Sequence, residues 1–220
     1  MQAEALDGPR VGSQEGTARQ LVVLLDGLGA DGHDLIQLAP HLGRVLPGAA
    51  FVAPHAPFAC DVAPMGRQWF SLARRDPELL YRGAEAARPL LERFVEAELR
   101  KLALAEDALA YVGFSQGTMM ALHTALRRPV ACAGVVGFSG LLIGAARLAD
   151  EIASRPPVLL VHGEADEVVA VNYLPAAEKA LAGLGVAVEA HRCPGLGHGI
   201  DETGLRLAAG FLRRVFAPAG

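Results

Sequence analysis

Apolar residues fall into short runs that alternate with longer stretches of helical periodicity. Buried strands are predicted at 20–25, 49–53, 108–112, 131–138, 157–161 and 186–191. Helices are predicted at 34–46, 78–103 with Pro89 as a candidate kink, 118–127, 172–184 and 201–216. Strands that alternate with helices indicate a mostly parallel central sheet with helices on both faces. We therefore predict an α/β fold, in which ligands bind beyond the carboxyl ends of the strands.

Two segments depart from this alternation. Residues 1–19 are small and polar, and we expect only an edge strand and a loop there. Residues 54–77 contain several prolines and the only tryptophan, Trp69, and predict a long irregular loop. Loops of this length are uncommon in compact domains and are often functional. Trp69 is therefore expected either to contact a substrate or to fill the core.

Composition narrows the class of protein. The 220 residues are 52% hydrophobic, which suits a single domain, 1–220, with a sizeable core. The net charge is −4, and no basic stripe suggests nucleic-acid binding. We see no apolar run long enough for an integral membrane segment and no secretory signal. Three cysteines without metal or disulfide spacing are typical of reduced thiols, so we expect a cytoplasmic protein. The sequence leaves its oligomeric state open between a monomer and a homodimer.

A candidate nucleophile lies between the strand at 108–112 and the helix at 118–127. Residues 113–117 read Gly-Phe-Ser-Gln-Gly, which is a Gly-x-Ser-x-Gly turn. Gly113 and Gly117 lack a Cβ, so strand and helix can approach each other around the turn. Ser115 is then held at its apex, where the next backbone N–H and the helix N-terminus favour attack on a carbonyl group.

A base and an acid follow later strands. His198 comes after the strand at 186–191 and Asp166 after the strand at 157–161, so both should meet Ser115 at one sheet edge. His198 would accept the Ser115 proton, and Asp166 would orient the imidazole. The competing histidines and acids are His33, His41, His55, His123, His162, His191, Asp150, Asp201 and, nearest in position to Asp166, Glu164. His162 is expected to be buried in the core.

The oxyanion hole needs two backbone donors. The segment 26–29, Asp-Gly-Leu-Gly, follows the strand at 20–25, and its glycines allow close approach to a substrate oxygen. We predict the N–H groups of Leu28 and Gln116 as the donor pair.

From about residue 20 onward the chain resembles the phospholipase/carboxylesterase family, the acyl-protein-thioesterase-like branch of the α/β-hydrolases. The similar segments are 113–117, 162–169 (His-Gly-x-x-Asp-x-Val-Val) and 194–200 (Pro-Gly-Leu-Gly-His-Gly-Ile). The resemblance implies an α/β-hydrolase fold and a serine hydrolase that uses Ser115, Asp166 and His198 without a cofactor. It implies hydrolysis of carboxylic esters, lysophospholipids or acyl thioesters, with a small-molecule acyl ester as partner. It also implies a substrate-lining loop around Trp69, and we add Leu72 as a second substrate contact.

Two positions differ from the family pattern. Ala170 replaces a proline, and Asp26 replaces the histidine that usually precedes the donor glycine. An ionised Asp26 could oppose an oxyanion; alternatively, and this we favour, its side chain turns away and hydrogen-bonds the loop backbone.

Three functions remain open. The leading hypothesis is a serine carboxylesterase that cleaves small to medium acyl esters through an acyl-enzyme. A lysophospholipase or acyl thioesterase for longer chains is the first alternative, and a catalytically dead hydrolase fold used for binding is the second. A dienelactone-type hydrolase is disfavoured because its nucleophile is usually cysteine.

Overall fold

The computed structural model describes residues 5–63 and 65–217. Its strands are β1 (Arg10–Val11), β2 (Gln20–Leu25), β3 (Ala49–Val52), β4 (Phe58–Ala59), β5 (Arg67–Gln68), β6 (Leu109–Phe114), β7 (Gly134–Phe138), β8 (Val158–Gly163) and β9 (Val188–Cys193). The main sheet has the order β1-β3-β2-β6-β7-β8-β9. Only its edge pair, β1 with β3, is antiparallel. The carboxyl ends of its parallel strands therefore share one edge.

Helices cover both faces of this sheet. They are α1 (Gly32–Leu35), α2 (Ala39–Gly43), α3 (Pro77–Leu102), α4 (Gln116–Ala125), α5 (Ala145–Glu151), α6 (Tyr173–Gly183) and α7 (Glu202–Val215). One apolar core lies between the sheet and α3, α4, α5 and α6, and a second lies under α1, α2 and α7. The predicted fold class, a mostly parallel sheet with helices on both faces, is confirmed. None of these described helices is long and apolar enough to cross a bilayer.

Several predicted elements have different bounds in the structure. The helix expected at 34–46 is broken into α1, a 3₁₀ turn at Ile36–Leu38, and α2, because Pro40 cannot donate the backbone hydrogen bond that would continue α1. By contrast, α3 is not interrupted at Pro89 and forms one continuous helix of 26 residues. Its cap at Asp76, whose carboxylate accepts two N–H bonds, and its buried apolar face outweigh the hydrogen bond lost at Pro89.

The irregular segment 54–77 contains a small hairpin that the sequence pattern did not predict. Strand β4 pairs antiparallel with β5, with Phe58 opposite Gln68 and Ala59 opposite Arg67. Strands of two residues are too short to produce an alternating pattern. The edge strand expected within residues 1–19 is β1. Residues 1–4 of that segment lie outside the described residues.

Candidate active site

Ser115 occupies a strained turn between β6 and α4. Its backbone has φ 53° and ψ −115°, a region that non-glycine residues rarely adopt. A Cβ on Gly113 would lie 2.4 Å from the Thr118 nitrogen, and one on Gly117 would lie 1.8 Å from the Leu25 oxygen. Both glycines are therefore needed to fold the turn, and the Ser115 N–H is fixed by the Phe138 oxygen at 2.8 Å.

The structure brings Ser115, His198 and Asp166 together at the carboxyl edge of the sheet. Nε2 of His198 lies 3.0 Å from the Ser115 Oγ, and Nδ1 lies 2.8 Å from Oδ2 of Asp166. These three residues come from the ends of β6, β9 and β8. The contacts allow one imidazole to bridge a hydroxyl and a carboxylate, which is the geometry that general-base activation of a serine requires.

The Asp166 side chain is completely buried, and its surroundings favour the ionised form that this role needs. Its Oδ1 accepts the backbone N–H groups of Val168 at 2.9 Å and Val169 at 2.8 Å. Burial by itself raises the pKa of Asp166, but the hydrogen bonds from His198, Val169 and Val168 outweigh it and hold the pKa below the ordinary value.

His162 is a neighbour of this site that the sequence argument assigned only to the core. It is buried, as expected, and its Nε2 lies 2.8 Å from the Val169 oxygen and 3.3 Å from Oδ2 of Asp166. Its position at the end of β8, four residues before Asp166, was the available signal. His162 thus packs the turn that presents the Asp166 carboxylate.

The alternative candidates for the base and the acid have other roles or positions in the structure. His123 is buried in α4 against Glu85 at 2.7 Å, and burial, with the charge of Arg127, lowers its pKa to about 4. Asp201 caps α7 by accepting the Gly204 N–H at 2.7 Å, and Glu164 is exposed.

A cavity of about 520 Å³ opens beside Ser115 and His198. Leu28, the predicted oxyanion donor, and Leu72, the predicted substrate contact, both line it. Its other apolar walls come from Val62, Pro77, Leu80, Phe114, Met119, Leu141, Leu142, Ile143, Val168, Val169 and Tyr173. The size and apolar lining are typical of a small-molecule site.

Trp69 does not line this cavity, so the expectation of a substrate contact is not met. Its side chain is completely buried, and its indole N–H donates to the Asp26 backbone oxygen at 3.2 Å. The Gln116 side chain accepts the Trp69 N–H at 2.8 Å and donates to the Phe70 oxygen at 2.7 Å. These buried bonds tie the segment after β5 to the start of α4, and Trp69 fills the core between them.

The segment 26–30 lies against the serine turn. A Cβ on Gly27 would be 3.4 Å from the Ser115 Cβ, and Arg67 fixes the segment by accepting the Gly29 N–H and donating to the Ala30 oxygen, both at 2.9 Å. Leu28 faces the cavity, and Gln116 is the first residue of α4, whose N–H the helix leaves unpaired.

The favoured expectation that the Asp26 side chain bonds the loop backbone is met only weakly. The residue is buried, and neither carboxyl oxygen has a partner at full hydrogen-bond geometry among the described residues, although its own backbone N–H and the Trp69 indole N–H act on it and favour the charged form. The nearby donors are committed elsewhere, since Gly29 N–H binds Arg67, Ala30 N–H binds Gly27 and the Trp69 indole binds the Asp26 backbone. Burial raises the pKa of Asp26 to about 7.

Comparison with known proteins gives consistent matches. A family model described as phospholipase/carboxylesterase matches residues 6–216. Esterase YpfH of Escherichia coli K12 is 27% identical over 203 residues, covering 92% of this chain and 86% of that protein. Acyl-protein thioesterase 1 of Saccharomyces cerevisiae is 30% identical over 180 residues, covering 76% and 79%. The crystal structure of esterase PE8 superposes with a TM-score of 0.93 at 42% identity, covering 96% of this chain and all of that one.

Proposed function

Because the chain belongs to the phospholipase/carboxylesterase family, a family of serine hydrolases, we propose that it is a carboxylesterase for small to medium acyl esters. The observation that carries the proposal is the hydrogen-bonded series Asp166–His198–Ser115 at the rim of an apolar cavity. The esterases among its relatives support the same reaction class.

The residues have defined roles in the proposed reaction. The Ser115 Oγ attacks the ester carbonyl while its proton passes to Nε2 of His198, and Asp166 stabilises the imidazolium through Nδ1. The N–H groups of Leu28 and Gln116 meet the oxyanion. Collapse of the tetrahedral intermediate breaks the bond to the alcohol, which leaves with the proton from His198. Water, deprotonated by His198, then attacks the acyl-enzyme, and the carboxylic acid is released as Ser115 regains its proton.

The cavity supports an apolar acyl group as the recognised part of the substrate. Among the described residues on its wall, Arg75 is the one arginine, lysine or carboxylate side chain; it is exposed and donates to the Val168 oxygen at 3.3 Å. Burial of a hydrocarbon chain against the walls near Ser115 should therefore stabilise the bound substrate by roughly 25 cal/mol per Å² of apolar surface.

A second candidate is an acyl thioesterase or lysophospholipase for longer chains. One observation favours it: apolar surface continues from the cavity onto exposed residues, with Val62 63%, Val168 49% and Tyr173 46% exposed. A longer chain could follow these residues out of the cavity.

Labelling and turnover test the proposal. A fluorophosphonate should label the folded protein once, at Ser115, and p-nitrophenyl butyrate should be turned over by the wild type. Ser115→Ala should abolish both, and Ser71→Ala, a hydroxyl in the segment after β5, should abolish neither. Folded wild type that neither labels nor hydrolyses the ester contradicts the proposal and leaves a binding role for the fold.

A chain-length series separates the two substrate classes. Values of kcat/KM for p-nitrophenyl esters from acetate to palmitate, beside the matching acyl thioesters, should peak at short to medium oxygen esters. A peak at the longest chains, or a preference for thioesters, would select the second candidate.

A further inference from the structure

Asp26 carries a buried carboxyl group for which the proposed chemistry has no use. Asp26 is 1% exposed, and neither Oδ1 nor Oδ2 has a partner at full hydrogen-bond geometry among the described residues. Its own backbone N–H and the Trp69 indole N–H favour the charged form, but burial outweighs both. A buried, unpaired carboxylate is among the costliest groups in a protein interior, so the neutral acid is the form that this environment favours.

The charged groups that act on Asp26 are themselves acidic. Asp31 and Asp34, on the segment that follows it, are both acidic and disfavour a negative charge on Asp26. The Arg67 guanidinium, from the hairpin, is bonded to the carbonyl oxygens of Ala56 and Pro57.

Other polar groups of these segments are engaged elsewhere. Nδ1 of His55 accepts the Gly32 N–H at 3.2 Å, and the His33 ring packs on that of His55 with centroids 5.1 Å apart. From α4, the Gln116 amide is used by Trp69 and Phe70.

Asp26 also lies next to the reacting atoms. It directly precedes Gly27, whose Cβ position is 3.4 Å from the Ser115 Cβ, and its backbone oxygen lies 2.8 Å from a Cβ placed on Gly117. A charge on this buried side chain would therefore act on the nearby space in which the oxyanion of the proposed reaction develops.

We propose that Asp26 must be protonated during turnover, because its carboxylate would oppose the oxyanion that forms beside the donor segment 27–28. This role rests on the proposed function. Asp26 itself does not line the cavity, whereas Gly27 and Leu28, which follow it, do.

The role has a specific consequence for pH dependence. General-base catalysis by His198 requires a neutral imidazole and gives a limb that rises with pH. Ionisation of Asp26 adds a falling limb on the alkaline side, and burial, which raises the pKa of Asp26 to about 7, places that limb within reach. A like charge roughly 6 to 12 Å from the oxyanion, at an effective dielectric constant near 20, corresponds to a reaction slowed by roughly 100- to 10-fold.

The test is the pH profile of kcat for p-nitrophenyl butyrate from about pH 5 to 9. The wild type should give a bell-shaped profile, and Asp26→Asn, neutral and of the same shape, should keep the rising limb and lose the falling one. Asp34→Asn is the matched control, because it removes an exposed carboxylate of the same segment. The charge of Asp34 helps to raise the pKa of Asp26, so in this variant the falling limb should persist and move to lower pH. A falling limb that persists in Asp26→Asn, or a wild type without one, overturns the proposal.

Other outcomes are also decisive. If Asp26→Asn does not fold, Asp26→Ser, also neutral and smaller, takes its place with the same two expectations. A wild type that labels at Ser115 and lacks the alkaline limb overturns the role of Asp26 alone. A folded wild type that neither labels nor turns over overturns the proposed function, and the role of Asp26 with it.

Discussion

The Asp166 carboxylate uses one oxygen to hold His198 and the other to close its own turn through Val168 and Val169. An amide at this position would keep the size of the side chain. It would, however, present an N–H where the imidazole N–H needs an acceptor, and so favour the wrong tautomer.

We therefore expect Asp166→Asn to lower kcat by about 10⁴-fold with little change in fold, as measured by ester turnover and circular dichroism. Glu164→Gln is the matched control, since this exposed acid two residues earlier was the nearest rival in sequence. An equal loss in both variants would show that the acid had been misassigned.

The buried carboxyl group of Asp26 should also make the stability of the fold depend on pH. Its pKa is about 7 in the folded protein against an ordinary 3.8, so the folded state holds a proton that the unfolded state has lost. This stabilisation is complete below about pH 4 and is lost as the pH rises through about 7, a change of about 4 kcal/mol. The free energy of unfolding of Asp26→Asn relative to wild type should therefore rise by that order between pH 4 and 8. A difference that does not change with pH would mean that Asp26 titrates normally.

Single residues were predictable where the chemistry is carried by local sequence. Ser115 is fixed by its flanking glycines, and Asp166 and His198 by their distance beyond strands, so their proximity followed from a parallel sheet. Trp69 and Asp26 were not predictable, because burial and free hydrogen-bond donors depend on how distant segments pack. Nothing near Asp26 in the sequence reveals that Arg67 and Trp69 occupy the neighbouring backbone groups.

At the scale of elements, the close contact between α4 and β2 positions the serine turn. The two elements touch at Gly117, where any Cβ would lie 1.8 Å from the Leu25 backbone oxygen. Backbone cannot yield as a flexible side chain does, so the contact tolerates only glycine.

Gly117→Ala should therefore prevent folding or cost several kcal/mol, measured by chemical denaturation. Gly183→Ala is the matched control. Gly183 ends α6 with nothing within 4 Å of its Cβ position. Alanine there should be neutral or stabilising by up to about 1 kcal/mol. Similar costs at both positions would contradict the packing described for Gly117.

The type of most helices and strands could be predicted from the sequence, whereas their bounds and interruptions were harder to predict. Long apolar periodicity located α3, α6 and α7 to within a few residues. The break between α1 and α2 depends on Pro40, and the β4–β5 hairpin depends on contacts with the segment 26–30, such as that between Arg67 and Ala30. Periodicity does not register either effect.

At the scale of the whole molecule, the parallel sheet gathers the ends of β2, β6, β8 and β9 at one edge. These four ends supply the segment 26–28, Ser115, Asp166 and His198. The cavity beside them is closed by the chain between β5 and α3 and by the segments that follow β7 and β8. The central claim is that Ser115 and His198 act as a single hydrolytic unit.

The most direct test compares kcat for p-nitrophenyl butyrate in Ser115→Ala, His198→Ala and the double variant. Groups that act as one unit give non-additive losses, so each single variant should fall by about 10⁶-fold and the double variant no further. Losses that multiply in the double variant, or a Ser115→Ala protein that retains activity within about tenfold of wild type, would contradict the account.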